Sequence, residues 1–303
     1  MIKKDIDWLA VGALVVAMMV WASSFIALKS AIGPMGPMSV IFGRMFFASL
    51  CFVYFIKQFS KLHFTKEDIK YIAVMTIFEP CMYFIFEAKA LQNTSAAQAG
   101  MITSMMPLIT AVAAGIILKE VITKKLVIGA ILAVIGAIWL SISASSETNA
   151  LHPLLGNTLE FLAMVCGAGY AISSRHLSSK FSPLFLTAIQ AFVGAIFFLP
   201  FAIWEYNSIG AHITLDAALW TIYLGVVVTL GGYGMFNFAL GRMEAGKASV
   251  YINLIPVFTV ILAFLILGEK LKFFQIIASV IILSGVFISQ MPTIKLRKRR
   301  IKS

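Results

Sequence analysis

Apolar residues run through this chain in long stretches, separated by short polar connections or by Gly and Pro. The stretches cover residues 8–28, 38–56, 69–91, 96–118, 126–143, 156–176, 183–204, 217–239, 246–267 and 273–290. Each is about 20 residues long, the length an α-helix needs to cross a hydrocarbon layer of about 30 Å. The pattern predicts an all-α membrane protein with ten transmembrane helices. The longest connections are 57–70, 144–155 and 205–216.

Composition agrees with that reading. Of 303 residues, 60% are hydrophobic and 12% charged, with a mean hydropathy of +0.95. Ordinary soluble domains are roughly 45–50% apolar and about 25% charged. The net charge of +11 raises nucleic acid as a partner, but the placement of the charges argues for topology instead. With the N-terminus in the cytoplasm, the cytoplasmic connections and the basic tail 291–303 carry nearly all Lys and Arg. The outer side holds only Lys29, Lys89, Lys270 and Lys272, and Arg44 lies inside a span. This is the positive-inside pattern, and it predicts a multi-pass protein of a bacterial-type inner membrane with both termini cytoplasmic. The tail run KLRKRRIK suits anionic lipid headgroups. The expected partners are therefore membrane lipid and a small-molecule substrate, with no nucleic acid. Cys51, Cys81 and Cys166 all lie in apolar runs and read as packing residues. No metal-ligand spacing occurs, and no cofactor is expected. The N-terminal residues lead straight into a full-length span, which reads as the first helix and not as a cleaved signal.

The chain repeats itself. A shift of 149 positions places Ala90-Leu91 on Ala239-Leu240, Ala96 on Ala245, Pro107 on Pro256, Thr110 on Thr259 and Glu120 on Glu269. A shift of 146 places Lys29 on Arg175 and Pro37 on Pro183. Two units of five spans follow, 8–143 and 156–290. Five is odd, so the second unit enters the membrane from the opposite side, as in the inverted repeats of secondary transporters. Inversion explains why the basic loop 268–272 is outside while its counterpart 119–125 is inside.

Several of these segments resemble the EamA-type family of the drug/metabolite transporter superfamily. They are WASSFIALK at 21–29, Arg44, the stretches AL…SAAQAG…P…LKE (90–120) and AL…AGKAS…P…LGEKL (239–271), and Gly136 and Gly285 in the spans that follow. The resemblance covers nearly the whole chain. It implies a ten-helix exporter or permease of small metabolites with a central cavity between the halves. Glu79 and Glu87 depart from it, making the third span unusually acidic.

A carboxylate inside a span costs roughly 2.5–3.5 kcal/mol on insertion scales and is a functional candidate by default. Glu79, Tyr83 and Glu87 follow i, i+4, i+8 spacing and share one helix face. Pro80 is expected to kink the helix or free a carbonyl. Glu79 is either a substrate contact or proton-coupling site, or a carboxylate satisfied within the bundle. Arg44 either pairs with Glu87 or grips a substrate carboxylate, for which its planar fork is suited. Glu160 reads as a solvated helix end. Trp21, Gln98, Ser104, Tyr170, Gln190, Tyr233, Asn237, Tyr251 and Asn253 are further cavity candidates, each weighed against a role as interhelical glue. Pro107 and Pro256 are expected hinges, and Glu120 and Glu269 helix-end contacts or latches at opposite faces.

The function predicted is a secondary transporter exporting small metabolites, such as amino acids or related amphipathic compounds, by alternating access. The alternatives are an uptake permease or facilitator, a channel or sensor, and a membrane-embedded enzyme. Catalytic motifs of the HExxH and GxSxG kind are missing from the sequence, as is a Walker A pattern.

Overall fold

A computed structural model of the chain describes residues 7–59, 62–117, 122–143, 150–177, 180–209, 212–240, 242 and 251–290. The regular elements among them are helices. In the first part of the chain these are α1 (Trp8–Met35), α2 (Pro37–Val53), a short α3 (Ile56–Phe59), α4 (Lys66–Thr76), α5 (Tyr83–Asn93), α6 (Ala96–Thr103), α7 (Met106–Ile117) and α8 (Lys124–Ser143). The second part holds α9 (Pro153–Leu177), α10 (Pro183–Ile209), α11 (Leu215–Tyr223), α12 (Tyr233–Leu240), α13 (Ile255–Leu267) and α14 (Phe273–Gln290).

Among the described residues, seven helices are long and apolar enough to cross a membrane by length and composition, among them 8–35, 66–93 and 215–236. Pro37–Val53, Tyr251–Leu267 and Phe273–Ser289 are apolar but shorter. Every one of these segments falls on an apolar run read from the sequence. Two boundaries differ. The connection 57–70 contains α3, and the connection expected from 205 begins later because α10 continues to Ile209. Glu205 is inside that helix and buried. Its Oε2 accepts the Ser39 N–H at 2.7 Å, at the tight turn where Gly36 joins α1 to α2 with φ +80°. A β-carbon on Gly36 would meet that carboxylate at 2.5–2.8 Å, so only glycine fits both the angle and the space.

Hydropathy does not predict two local features. A π-helical segment, Ile77–Met82, joins α4 to α5, and another, Leu224–Gly232, joins α11 to α12. The two overlap under the shift of 149. In the first, Glu79 has extended backbone angles (φ −144°, ψ 117°) ahead of Pro80. The helices are also interrupted near Pro107 and Pro256. A turn at Ser104–Met105 separates α6 from α7 just before Pro107, and a 3₁₀ turn, Tyr251–Leu254, precedes α13 with Pro256 at its start.

Helices alternate in direction. One end of the bundle, the near end, carries Asp7 beside Arg242 and Asp68 bonded to Lys180. The far end carries the connections 35–37, 93–96 and 268–272, where His212 N–H reaches Pro34 O and His152 N–H reaches Asn93 O. α1 therefore starts at the near end and α9 at the far end. α8 packs on α14 and α2 on α10, while α5 lies on α9 and α12 on α1. The α8–α14 seam is glycine-tight: a β-carbon on Gly285 would lie 2.7 Å from Ala133 N, and one on Gly136 would lie 2.9 Å from Ala278 O. Such close backbone approach is how helices associate where lipid removes the hydrophobic drive.

Candidate functional site

The middle of the bundle encloses a cavity of about 450 Å³, within the 300–1,000 Å³ range of small-molecule sites. Both parts of the chain line it. Trp21, Arg44, Glu79, Tyr83 and Glu87 come from the first, and Tyr170 and Tyr233 from the second. These are seven of the candidates named from the sequence, and the i, i+4, i+8 face survives the π-helical segment.

Glu79 is held at two points. Its Oε1 accepts the Tyr233 hydroxyl at 3.1 Å, and its backbone carbonyl, freed by the break at Pro80, accepts Gln190 Nε2 at 3.1 Å. Gln190 thus anchors the kink from behind and does not line the main cavity. Glu87 takes the Tyr83 hydroxyl on Oε1 at 3.1 Å and faces Arg44 Nη1 with Oε2 at 4.0 Å. Arg44 is buried, lies 4.4 Å over the Phe84 ring and reaches Thr229 Oγ1 through Nε at 3.4 Å. Cation–π contact and a partner carboxylate together offset the cost of placing a guanidinium in the interior. Trp21 stands 5.1 Å from both Tyr233 and Phe236 in ring-centroid distance. It approaches Gly232 so closely that a β-carbon there would meet Nε1 at 2.5 Å. Trp21 Nε1 is buried without a hydrogen-bond acceptor among the described residues.

The two π-helical segments contribute to the cavity lining with unlike chemistry. The first brings Glu79. The second brings Val228 at the equivalent position, with Phe236 opposite Glu87. The lining combines Glu79, Glu87 and Arg44 with apolar and aromatic side chains such as Val228 and Phe236. Sequence reading missed the linings Phe84 and Phe236, because an aromatic in a span carries no polar signal.

Five residues stand elsewhere than the sequence suggests. Glu160 is no solvated helix end: it is 0% exposed, and its Oε1 accepts the Thr103 hydroxyl at 3.2 Å. Gln98 lies outside the cavity, in a polar knot at the far end. Asn157 Nδ2 donates to Gln98 Oε1 at 2.9 Å and to Ser141 Oγ at 3.0 Å, while Thr94 donates to Asn157 Oδ1 at 2.7 Å. Ser104 turns its hydroxyl onto Met101 O at 2.6 Å and does not line the cavity. Tyr251 packs beside Ala10, Leu14 and Ala239, and Asn253 stays outside the lining; from that turn the cavity receives Ile252. The side chain of Asn237 and the whole of Glu120 lie outside the described residues.

Glu269 belongs to the far-end closure. Its two oxygens accept Ala96 N–H at 3.1 Å and Ala97 N–H at 3.0 Å, capping α6 from the other half of the chain. Nearby, Lys29 Nζ donates to Leu91 O at 2.8 Å and also to Thr94 O. Orphan N–H groups at a helix start favour such a carboxylate.

A bundle of long apolar helices around a central, mixed-polarity cavity defines a multi-pass membrane protein of transporter type. The model of the EamA-like transporter family matches residues 8–142 and again 154–291, and the chain belongs to that family. It is 28% identical over 228 residues to the uncharacterized transporter YetK of Bacillus subtilis, covering 74% of this chain and 69% of that protein. An uncharacterized transporter of Archaeoglobus fulgidus is 26% identical over 268 residues, 88% of this chain and 94% of its own. A probable terminal-alkyne amino-acid exporter of Streptantibioticus cattleyicolor is 21% identical over 289 residues, 95% and 96% of the two chains. A protein of known crystal structure shares the fold at a TM-score of 0.60 with 15% identity, over 92% of this chain and 96% of that one.

Proposed function

We propose that this protein is a secondary transporter that exports small amphipathic organic solutes, amino acids or related compounds, across a bacterial-type inner membrane. It works by alternating access between two inverted five-helix halves, 8–143 and 156–290, ten spans in all. Both termini and the basic tail 291–303 are cytoplasmic.

The observation that carries this reading is the cavity lined from both halves, with one end of the bundle tied shut. Its lining residues Tyr170, Ser174, Leu186 and Thr187 sit toward the near end. The far end is closed by Glu269, Lys29 and the Asn157 knot. With a cytoplasmic N-terminus the near end is the inner one, so this arrangement receives solute from inside. The twofold family match, the reversed entry of α1 and α9, the paired π-helical segments and the seam of equivalent glycines, Gly136 and Gly285, all support inverted halves. Similarity to a probable terminal-alkyne amino-acid exporter supports export of amino acids.

In this mechanism Glu79 contacts the solute or carries the coupled proton, steadied by Tyr233 and Gln190. Arg44 and Glu87 neutralise each other when the cavity is empty, and a solute carboxylate competes for Arg44. Purified protein in liposomes, offered a panel of amino acids, nucleosides and vitamins, tests the reading. Movement of at least one class, lost in Glu79→Gln, is expected. No flux of any solute in either orientation refutes it.

A further inference from the structure

Glu160 takes no part in that scheme, yet it is the most deeply buried carboxyl group of the described bundle. It lies seven residues into α9, about 10 Å from the helix start, at the depth where Glu87 approaches from α5. Neither carboxyl is fully satisfied. Glu160 Oε1 accepts from Thr103 and Glu87 Oε1 accepts from Tyr83. The Oε2 atoms of both are buried with no hydrogen-bond partner among the described residues. Arg44 attends Glu87 alone, at 4.0 Å, and is otherwise engaged by Thr229 and Phe84.

We propose that Glu160 is a proton-binding site, carrying one exchangeable proton in this conformation, with Glu87 on the cavity wall as its exchange partner. With Arg44 on Glu87 alone, a bare carboxylate on Glu160, 0% exposed, is an uncompensated charge, which costs several kcal/mol. A proton on Glu160 removes that charge. It also gives Oε2 a donor function where a lone pair is now unmet. A metal ion is a poor substitute, because hard cations take about six oxygens and no acidic cluster of three or more occurs among the described residues. The step is a simple association: a water-borne proton forms an O–H bond on Glu160, and the same bond breaks when the proton passes to the Glu87 carboxylate or to water.

The groups that face Glu160 are few. Glu87 and Tyr83 act on it from α5, and α6 and α7 present Thr103 and no charge. Glu79 and Cys81 lie further along in the π-helical segment. The charges of α4, with Tyr71 stacked on His176, and Lys124 and Lys125 of α8 sit toward the near end. Thr103 and Glu87 both line the cavity, while Glu160 stands outside the lining at the same depth, reached through Thr103.

Infrared spectroscopy of the full chain in lipid nanodiscs tests this without any solute, so the result is independent of whether the transport reading holds. At neutral pH the wild type should show the carbonyl stretch of a protonated carboxyl, shifted in heavy water. Glu160→Gln should lose one such band. Thr103→Val, which keeps the side-chain shape, should shift its frequency. The proposal is overturned if the wild type has no such band, or if Glu160→Gln keeps all of it. Should Glu160→Gln fail to fold, an unmoved band in Thr103→Val overturns it equally.

Discussion

Removing the Glu269 carboxylate should loosen the far end of the bundle by an amount the structure fixes. The side chain accepts two N–H bonds, 3.1 and 3.0 Å long, at the first turn of α6. Ser95 still caps Gln98 N–H at 3.2 Å, so the helix start is not left bare. A carboxylate at a half-exposed helix N-terminus contributes about 0.5–2 kcal/mol, and two bonds place Glu269→Ala near the top of that range, about 2 kcal/mol. Glu269→Gln keeps a neutral acceptor and should cost about 1 kcal/mol. At 1.4 kcal/mol per tenfold, these raise the open fraction about 30-fold and about 5-fold. Ala150 lines the recess beside Glu269 and is 4% exposed. The labelling rate of Ala150→Cys by a membrane-impermeant thiol reagent therefore reports the opening directly. Equal rates in the three backgrounds would refute the reasoning. So would a lowered melting temperature with unchanged labelling, which would assign the cap to general stability alone.

Other outcomes follow from the same geometry. Arg44→Lys should weaken solute movement almost as much as Arg44→Ala, since an ammonium can neither fork onto a carboxylate nor stack over Phe84 in the same way; full activity in Arg44→Lys, read by liposome flux, would sink the gripping role. Gly285→Leu should lower the melting temperature in detergent by an amount equivalent to about 1–3 kcal/mol of overpacking, because the added atoms meet the α8 backbone; an unchanged melt would contradict the seam. Cysteines at Gln58 and Leu151, both exposed, should label from opposite sides of sealed vesicles, and labelling of both from one side would break the topology.

Hydropathy made the helices legible because a 30 Å slab demands long apolar runs whatever their neighbours do. It could not say what covers a given residue. Glu160 and Glu205 stand near helix ends, where sequence reading expects water; both are buried, because another helix supplies Thr103 to one and Ser39 to the other. The acidic face of Glu79, Tyr83 and Glu87 was readable, since period and charge coincide. Gln98 and Tyr233 look alike as polar residues in spans, yet one is glue and the other touches Glu79. Only the crossing of helices distinguishes them. The π-helical segments were invisible, because one extra residue in a hydrogen-bonded turn barely alters an apolar pattern.

The glycine seam between α8 and α14 leaves almost no slack where these two helices meet. A relative rotation of α8 and α14 would pivot on it. Gly285 lies 12 residues, about 18 Å, beyond the start of α14 at Phe273, and Glu269 sits on the connection just before that start. A rotation of about 10° about that contact would carry the start of α14 roughly 3 Å, about the length of the hydrogen bonds Glu269 makes to α6. Leverage of this kind lets a small change of angle at a tight contact decide whether a distant pair of bonds exists at all.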